Sequence, residues 1–229
     1  MRPLTDTCPK PLLRAGGKML IEYHLEKLAQ AGFSNVVINH AYLGNIIEAT
    51  LRDGRHYDIR IQYSPESLVL ETAGGIANAL PLLTDSDRIK PFAVINADIF
   101  CDMDFSTLLP VLQHMQSHLE HTLAHLILVN NPPHHPEGDF FLQTGSDRLV
   151  ESAHHHCQKL TFSGIGIYHP KLFADVPPDQ AIKLAPLLRQ AITAGKATGS
   201  HYPGLWLDIG TPERLYQLDN RLNHSDQPR

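Results

Sequence analysis

Cysteine is scarce in this chain. Cys8, Cys101 and Cys157 are scattered and odd in number, which excludes a disulfide framework and fits a reducing, cytoplasmic setting. Long apolar runs are missing too. None approaches the roughly 20 residues of a membrane span, and no signal peptide precedes the first motif, so no membrane partner is expected. Positive charge is not in excess: 19 Lys and Arg against 24 Asp and Glu give a net charge of −5. That balance argues against a nucleic-acid partner, which would need a basic stripe, so any phosphate site must be local. Internal repeats and low-complexity tracts are absent. What remains, at 229 residues with 42% hydrophobic and 19% charged content, is an ordinary globular chain with ample core.

Strand and helix signals alternate through the first part. Leu20 to Ala31 has a helical apolar period ending at Gly32, and 35–39 is a short β-branched strand. Gly44 to Leu51 reads as a helix, 59–63 as a strand, and Gly74 to Leu83 as a helix opened by glycines. Residues 91–96 read as a buried strand, Leu108 to Leu119 as a helix and 123–129 as a strand. This alternation predicts an α/β fold, a Rossmann-like, doubly wound, mostly parallel sheet with ligands at the strand C-termini. After Asn130 the texture changes to a Pro-rich loop and short strands near 140–143, 148–151 and 160–168. They predict a small antiparallel lobe. Helices at 185–194 and 212–222 close the chain. The expected division of a single domain is 1–130 for the alternating part and 131–229 for the antiparallel lobe with C-terminal helices.

Five segments carry chemistry-bearing residues. Arg2 and Lys10 lie in a Pro-punctuated opening segment, expected to be a rigid extended loop that could clamp polyphosphate; the plain alternative is a mildly basic terminus. Glu71-Thr72-Ala73-Gly74-Gly75 stands ahead of a helix, where glycines admit an anion close to backbone amides or simply make a turn. Asn96-Ala97-Asp98 ends the strand at 91–96, so Asp98 either holds Mg²⁺ against phosphate oxygens or caps a turn. Asp102 and Asp104 read as solvated or capping residues. Asp208 precedes a Thr cap and a Pro at the first helical position. It is either a second Mg²⁺ ligand, with Trp206 lining a sugar pocket, or a turn residue beside a core Trp. Gly138, Asp139, Gly164 and Lys183 are most simply turn, bulge and surface residues. His154-His155-His156-Cys157 and His134-His135 lack a second ligand cluster at zinc spacing.

In order, Arg2-Pro3-Leu4-Thr5, Pro9-Lys10-Pro11, Glu71 to Gly75, Asn96-Ala97-Asp98 and Trp206 to Thr211 resemble the motifs of the sugar-1-phosphate nucleotidyltransferases. The resemblance spans essentially the whole chain. It is nearest to members that take UTP and N-acetylmuramate 1-phosphate in peptidoglycan recycling, through residues 20–24, 37–40, 131–140 and 183–188. It implies a cytoplasmic enzyme that joins a nucleoside triphosphate to a sugar 1-phosphate and releases pyrophosphate. Asp98 and Asp208 would hold Mg²⁺, Arg2 would steady pyrophosphate, and Lys10 would bridge the two phosphates. Glu71, Thr72, Ala73, Gly74, Gly75 and Asn96 would face the nucleotide. Gly138, Asp139, Gly164, Lys183 and Trp206 would face the sugar, with Lys183 and Arg189 as candidates for the lactyl carboxylate of an N-acetylmuramate.

The family's first strand and Gly-rich loop have no counterpart before Arg2. The expectation is that Met1 stands for the internal Met of the R-M-R-P motif, that the true start lies upstream, and that the 229 residues alone would be weakly active and prone to aggregate. Alternatives are a mannose- or glucose-1-phosphate nucleotidyltransferase and a catalytically silent sugar-nucleotide-binding regulator. Asp102-Met103-Asp104 superficially fits a glycosyltransferase, which the Arg2/Lys10 segment disfavours. Oligomeric state is not legible.

Overall fold

The computed structural model describes residues 1–83, 90–118, 121–153 and 156–225. The chain begins with β1 (Arg14–Ala15), β2 (Lys18–Met19), α1 (Leu20–Gln30), β3 (Asn35–His40), α2 (Gly44–Leu51) and β4 (Arg60–Pro65). It continues through α3 (Glu71–Leu83), β5 (Phe92–Ile95), β6 (Ile99–Cys101), α4 (Leu108–Ser117) and β7 (Ala124–Val129). Then come β8 (Phe140–Gln143), β9 (Leu149–Val150), β10 (Cys157–Tyr168), α5 (Leu184–Thr193), β11 (Ala197–Tyr202), β12 (Trp206–Asp208) and α6 (Pro212–Ser225). Two compact units interleave in sequence. The first comprises Met1–Pro65, Asn96–Ser106 and Leu205–Arg229; the second comprises Glu66–Ile95 and Thr107–Gly204.

In the first unit, α1 starts where the Glu22 carboxylate accepts the Met19 N–H at 2.6 Å, a side-chain partner for a backbone donor that the first turn leaves open. Its apolar face buries Leu20, Ile21, Leu25 and Leu28. The strands β3 and β4 pair in parallel from Asn35↔Arg60 to His40↔Pro65, with α2 as the crossover segment. Leu12, Met19, Ile21, Leu25, Ile47, Leu51, Ile59 and Ile61 form one core there. A second core joins Leu13, Ala15, Leu20, Phe100, Ile209, Leu215 and Leu218. The opening segment is not the extended loop expected. Leu4–Asp6 and Lys10–Leu12 are 3₁₀ turns, because a proline φ near −65° suits a first helical turn as well as an extended chain.

The second unit holds a six-stranded mixed sheet in the order β11-β7-β10-β8-β9, with β5 also on β10. The β7/β11 pair is parallel from Ala124↔Ala197 to Val129↔Tyr202; the pairs around β10 are antiparallel. This is the α/β fold that the alternation predicts, and β8, β9 and the first third of β10 form the antiparallel lobe. β10 is shared: residues 157–160 pair with β8, and later residues pair with β7 and β5. The register shifts between Phe162 and Ile165, where Gly164 takes φ +81°, a bulge position suited to glycine. Ala124, Leu126, Leu128, Phe140, Leu160, Tyr168 and Leu188 anchor the core.

Two sequence expectations need correction here. The strand at 91–96 was expected to be buried, yet only Phe92 is; Ala93, Val94 and Ile95 are half-buried. Among the described residues β5 pairs with β10 alone, so its other edge lacks a covering strand. The segment 71–75 does not precede a helix but forms the first turn and more of α3. There Ala73 and Gly74 donate their N–H groups to the Ile182 carbonyl at 2.9 and 3.2 Å. A Cβ on Gly74 would run into the Gln180 carbonyl oxygen, so glycine is what lets the helix lie against 180–182. His154 and His155 lie outside the described residues. Among the described residues, no three His, Cys, Asp or Glu side chains gather as a metal cluster.

Candidate active site

Within the first unit, three charged groups hang on one apolar core. Lys10 opens the turn Lys10–Leu12, and Leu13, three residues on, sits in the core with Phe100 and Ile209. Asp98 lies in the turn before β6, whose three residues are all buried. Asp208 closes β12, which pairs antiparallel with β6 so that Asp208 stands opposite Ile99. The Ile209 N–H also donates to the Asp98 carbonyl at 2.9 Å. The strand pairing therefore sets Asp98, just before β6, one residue out of register from Asp208 at the end of β12. Lys10 Nζ donates to Asp98 Oδ2 at 2.6 Å, with both side chains partly exposed. The lysine thus stands directly beside the carboxylate as a charge-assisted pair.

Each aspartate has a cation. Arg214 Nη1 lies 2.6 Å from Asp208 Oδ2. The Arg214 N–H in turn donates to the Thr211 hydroxyl, a weak cap at 3.3 Å, in the first turn of α6. Asp219 on the same helix accepts the Gly16 N–H at 2.8 Å, which ties α6 to the β1/β2 hairpin. Sequence reasoning missed Arg214, because a helix-start arginine has no local signature. The signal available was Asp208-x-Gly210, which leaves room for it.

α1 steadies β6 from a side that sequence reasoning also left out. His24 is buried and donates from Nε2 to the Ile99 carbonyl at 2.9 Å. Burial holds its imidazole down at a pKa of about 4, so at neutral pH the ring is uncharged and acts as a plain donor. One turn later Lys27 Nζ donates to the Cys101 and Met103 carbonyls at 2.6 and 3.3 Å. The strand that begins one residue after Asp98 is thereby pinned at both ends.

The other expected residues divide plainly. Arg2 pairs with Asp6 at 3.3 Å on a side chain that is 89% exposed, and no contact brings it to Lys10, Asp98 or Asp208. Asn96 is exposed, and Trp206 is half-buried at the head of β12 opposite Cys101. In the second unit, Glu71 and Thr72 are exposed while Ala73, Gly74 and Gly75 are buried. Asp139 is fully engaged: Oδ2 accepts the Phe162 N–H at 2.8 Å and Oδ1 meets His135 Nε2 at 3.0 Å. Gly138, at φ +59°, packs against the Asn131 amide. Lys183 is exposed just before α5. Gly138 and Asp139 line a pocket of about 130 Å³ with Phe140, Glu151, Lys159 and Arg189. Lys159 and Arg189 lie over the Phe141 and Phe140 rings at 5.3 and 5.4 Å. A hollow in the first unit of about 770 Å³ is more open and lies at the starts of β3 and β4, the strand end that ligands of α/β sheets do not use.

Two strand-end aspartates, a lysine on one of them and a mixed α/β sheet define a class. The family model for nucleotidyl transferases matches residues 1–225, and the chain belongs to that family. It is 50% identical over 216 residues to the N-acetylmuramate alpha-1-phosphate uridylyltransferase of Neisseria meningitidis, a match that covers 94% of this chain and 90% of that one. It is 31% identical over 228 residues to the enzyme of the same name from Caulobacter vibrioides, covering 97% and 91%. The fold superposes with a TM-score of 0.79 on a candidate glucose-1-phosphate thymidylyltransferase from Bacillus anthracis, at 17% identity and covering 100% of this chain and 92% of that one.

Proposed function

We propose that the chain is a single nucleotidyltransferase domain that joins UTP to N-acetylmuramate 1-phosphate, giving the UDP-sugar and pyrophosphate in peptidoglycan recycling. The observation that carries the chemistry is the Lys10–Asp98 pair beside Asp208 on a shared apolar core. The choice of substrates rests on the 50% identity to a uridylyltransferase of that name. No described helix is long and apolar enough to cross a membrane, and the three cysteines are unpaired thiols. The unpaired thiols fit a reducing, cytoplasmic setting for the reaction.

The acceptor oxygen is already anionic, so the reaction needs no general base. Its difficulty is that two negatively charged esters must meet in line, which makes positioning and charge neutralisation the main terms. Lys10 supplies a point charge to the phosphate under attack and to the incoming sugar phosphate. Arg2, exposed and paired with Asp6, would reach departing pyrophosphate with a planar fork. The donor set at Asp98 and Asp208 is two hard carboxylates without a third protein ligand among the described residues. That set suits Mg²⁺, which takes one or two carboxylates and completes its octahedron with phosphate and water. When bound there, Mg²⁺ would neutralise charge on the α-phosphate. Glu71 to Gly75 and Asn96 belong to the nucleotide side, and Gly138, Asp139, Gly164, Lys183 and Trp206 to the acceptor side. Asp139 serves through the loop it fastens, since both its oxygens are engaged.

The lactyl carboxylate of the acceptor wants a cation. Arg189 lines the pocket that also holds Gly138 and Asp139, whereas Lys183 is not among that pocket's residues; this favours Arg189. Pyrophosphate release measured with UTP, GTP, CTP and dTTP against N-acetylmuramate, N-acetylglucosamine, glucose and mannose 1-phosphates tests the whole reading. UTP with N-acetylmuramate 1-phosphate should give the highest kcat/KM, and a preference for another pair would overturn it.

A further inference from the structure

The roles assigned so far leave Arg214 unexplained. Its guanidinium holds Asp208 Oδ2 at 2.6 Å, and the two side chains are only 24% and 34% exposed. The six-residue return from Asp208 to Arg214 depends on Gly210. A Cβ at that position would lie 2.9 Å from Arg214 Nη2 and 3.0 Å from Asp208 Oδ1. Thr211 accepts the Arg214 N–H, and Pro212 begins the helix, so the arginine is held in the first turn. The segment folds an acid and a base onto each other around a missing side chain.

We propose, resting on the reading that Asp208 holds the divalent cation, that Arg214 is a positioning residue acting as the exchangeable counter-ion of Asp208. Before the cation arrives, the guanidinium holds the carboxylate in place by a charge-assisted hydrogen bond. When the cation arrives, Arg214 yields Oδ2, and the site carries the cost of that lost bond and of a positive charge left beside a doubly charged ion. Arg214 therefore weakens intrinsic cation affinity, which keeps the cation exchangeable with substrate phosphates. Lys10 stands in the same relation to Asp98, but its part in phosphate binding makes Arg214 the cleaner place to test.

The test is Mn²⁺ binding to the full chain without nucleotide, read from the electron paramagnetic resonance signal of free Mn²⁺. Arg214→Met should lower the Mn²⁺ Kd about tenfold, the effect of removing one unit charge a few ångströms away through a solvent-rich medium. Arg214→Gln, which removes the charge and keeps a hydrogen-bond donor, should move the Kd in the same direction, and Arg214→Lys should stay near wild type. An unchanged or higher Kd in folded Arg214→Met, with melting as the check on folding, overturns the proposal. If Arg214→Met does not fold, an unchanged or higher Kd in Arg214→Gln overturns it instead. Asp98→Asn and Asp208→Asn separate the two layers. Wild-type Mn²⁺ binding in both would overturn the metal reading and the proposal with it. Loss of binding there, with Arg214→Met unchanged, sinks the Arg214 role alone.

Discussion

The two units use charge and glycine in opposite ways. In the first, charged side chains lie partly exposed at turns and the ends of short strands, and a small core of Leu13, Phe100, Ile209, Leu215 and Leu218 fixes their spacing. In the second, the residues that a motif search selects are mostly backbone devices. Gly74 clears the Gln180 carbonyl, Gly164 makes a bulge, and Asp139 fastens a loop to β10. Charge substitutions should thus act on turnover in the first unit and backbone substitutions on stability in the second.

The largest effect expected is at Asp98. Asp98→Asn should lower kcat for pyrophosphate release by about a hundredfold or more, the order of losing one preorganised charge contact, with the melting temperature little changed. A melting shift as large as the activity loss would break the contrast.

Next comes acid. Each unit buries one histidine whose pKa burial depresses to about 4: His24 on the Ile99 carbonyl, and His125 between the Thr198 and Ser200 hydroxyls at 2.8 and 2.9 Å. Both folded values lie below the unfolded 6.5, so the unfolded chain binds more protons across that window. Stability is complete above pH 6.5, falls as pH drops towards 4, and levels off below. The loss should be about 3 kcal/mol per histidine, and denaturant titrations of His24→Gln and His125→Gln should each flatten their share. An equal slope in both variants and the parent would refute this account.

Gly74→Ala should cost about 1–3 kcal/mol, because its methyl meets backbone rather than a movable side chain. Calorimetric unfolding checks this, and an unaltered midpoint would mean that α3 shifts freely. The smallest effect is at Arg189. Arg189→Ala should raise KM about tenfold for N-acetylmuramate 1-phosphate, in line with one charge-assisted bond in a solvated pocket, and leave that for N-acetylglucosamine 1-phosphate unchanged. Equal loss on both acceptors would return Arg189 to a packing role above Phe140.

Much of this was legible in the chain. The helices at 20–30, 44–51 and 184–193 carry apolar periods that burial then honours, and Asp98, Asp208 and Lys10 announce themselves by standing where strands or prolines end. β11 was not legible, since Ala-Thr-Gly-Ser-His-Tyr has no apolar face. Its Thr198 and Ser200 instead satisfy the buried His125 from the neighbouring parallel strand. β6 and β12 are three residues each, too short for any period. Arg214 and His24 were invisible for a related reason: their partners are 6 and 75 residues away, and only the fold introduces them.

The core beneath Asp98 and Asp208 has a practical side. Leu215 and Phe100 are buried there, and they support the helix that holds Arg214 and the strand that follows Asp98. A laboratory campaign that repacks them for heat tolerance would shift the placement of Asp98, Asp208 and Arg214 while watching only the melting curve.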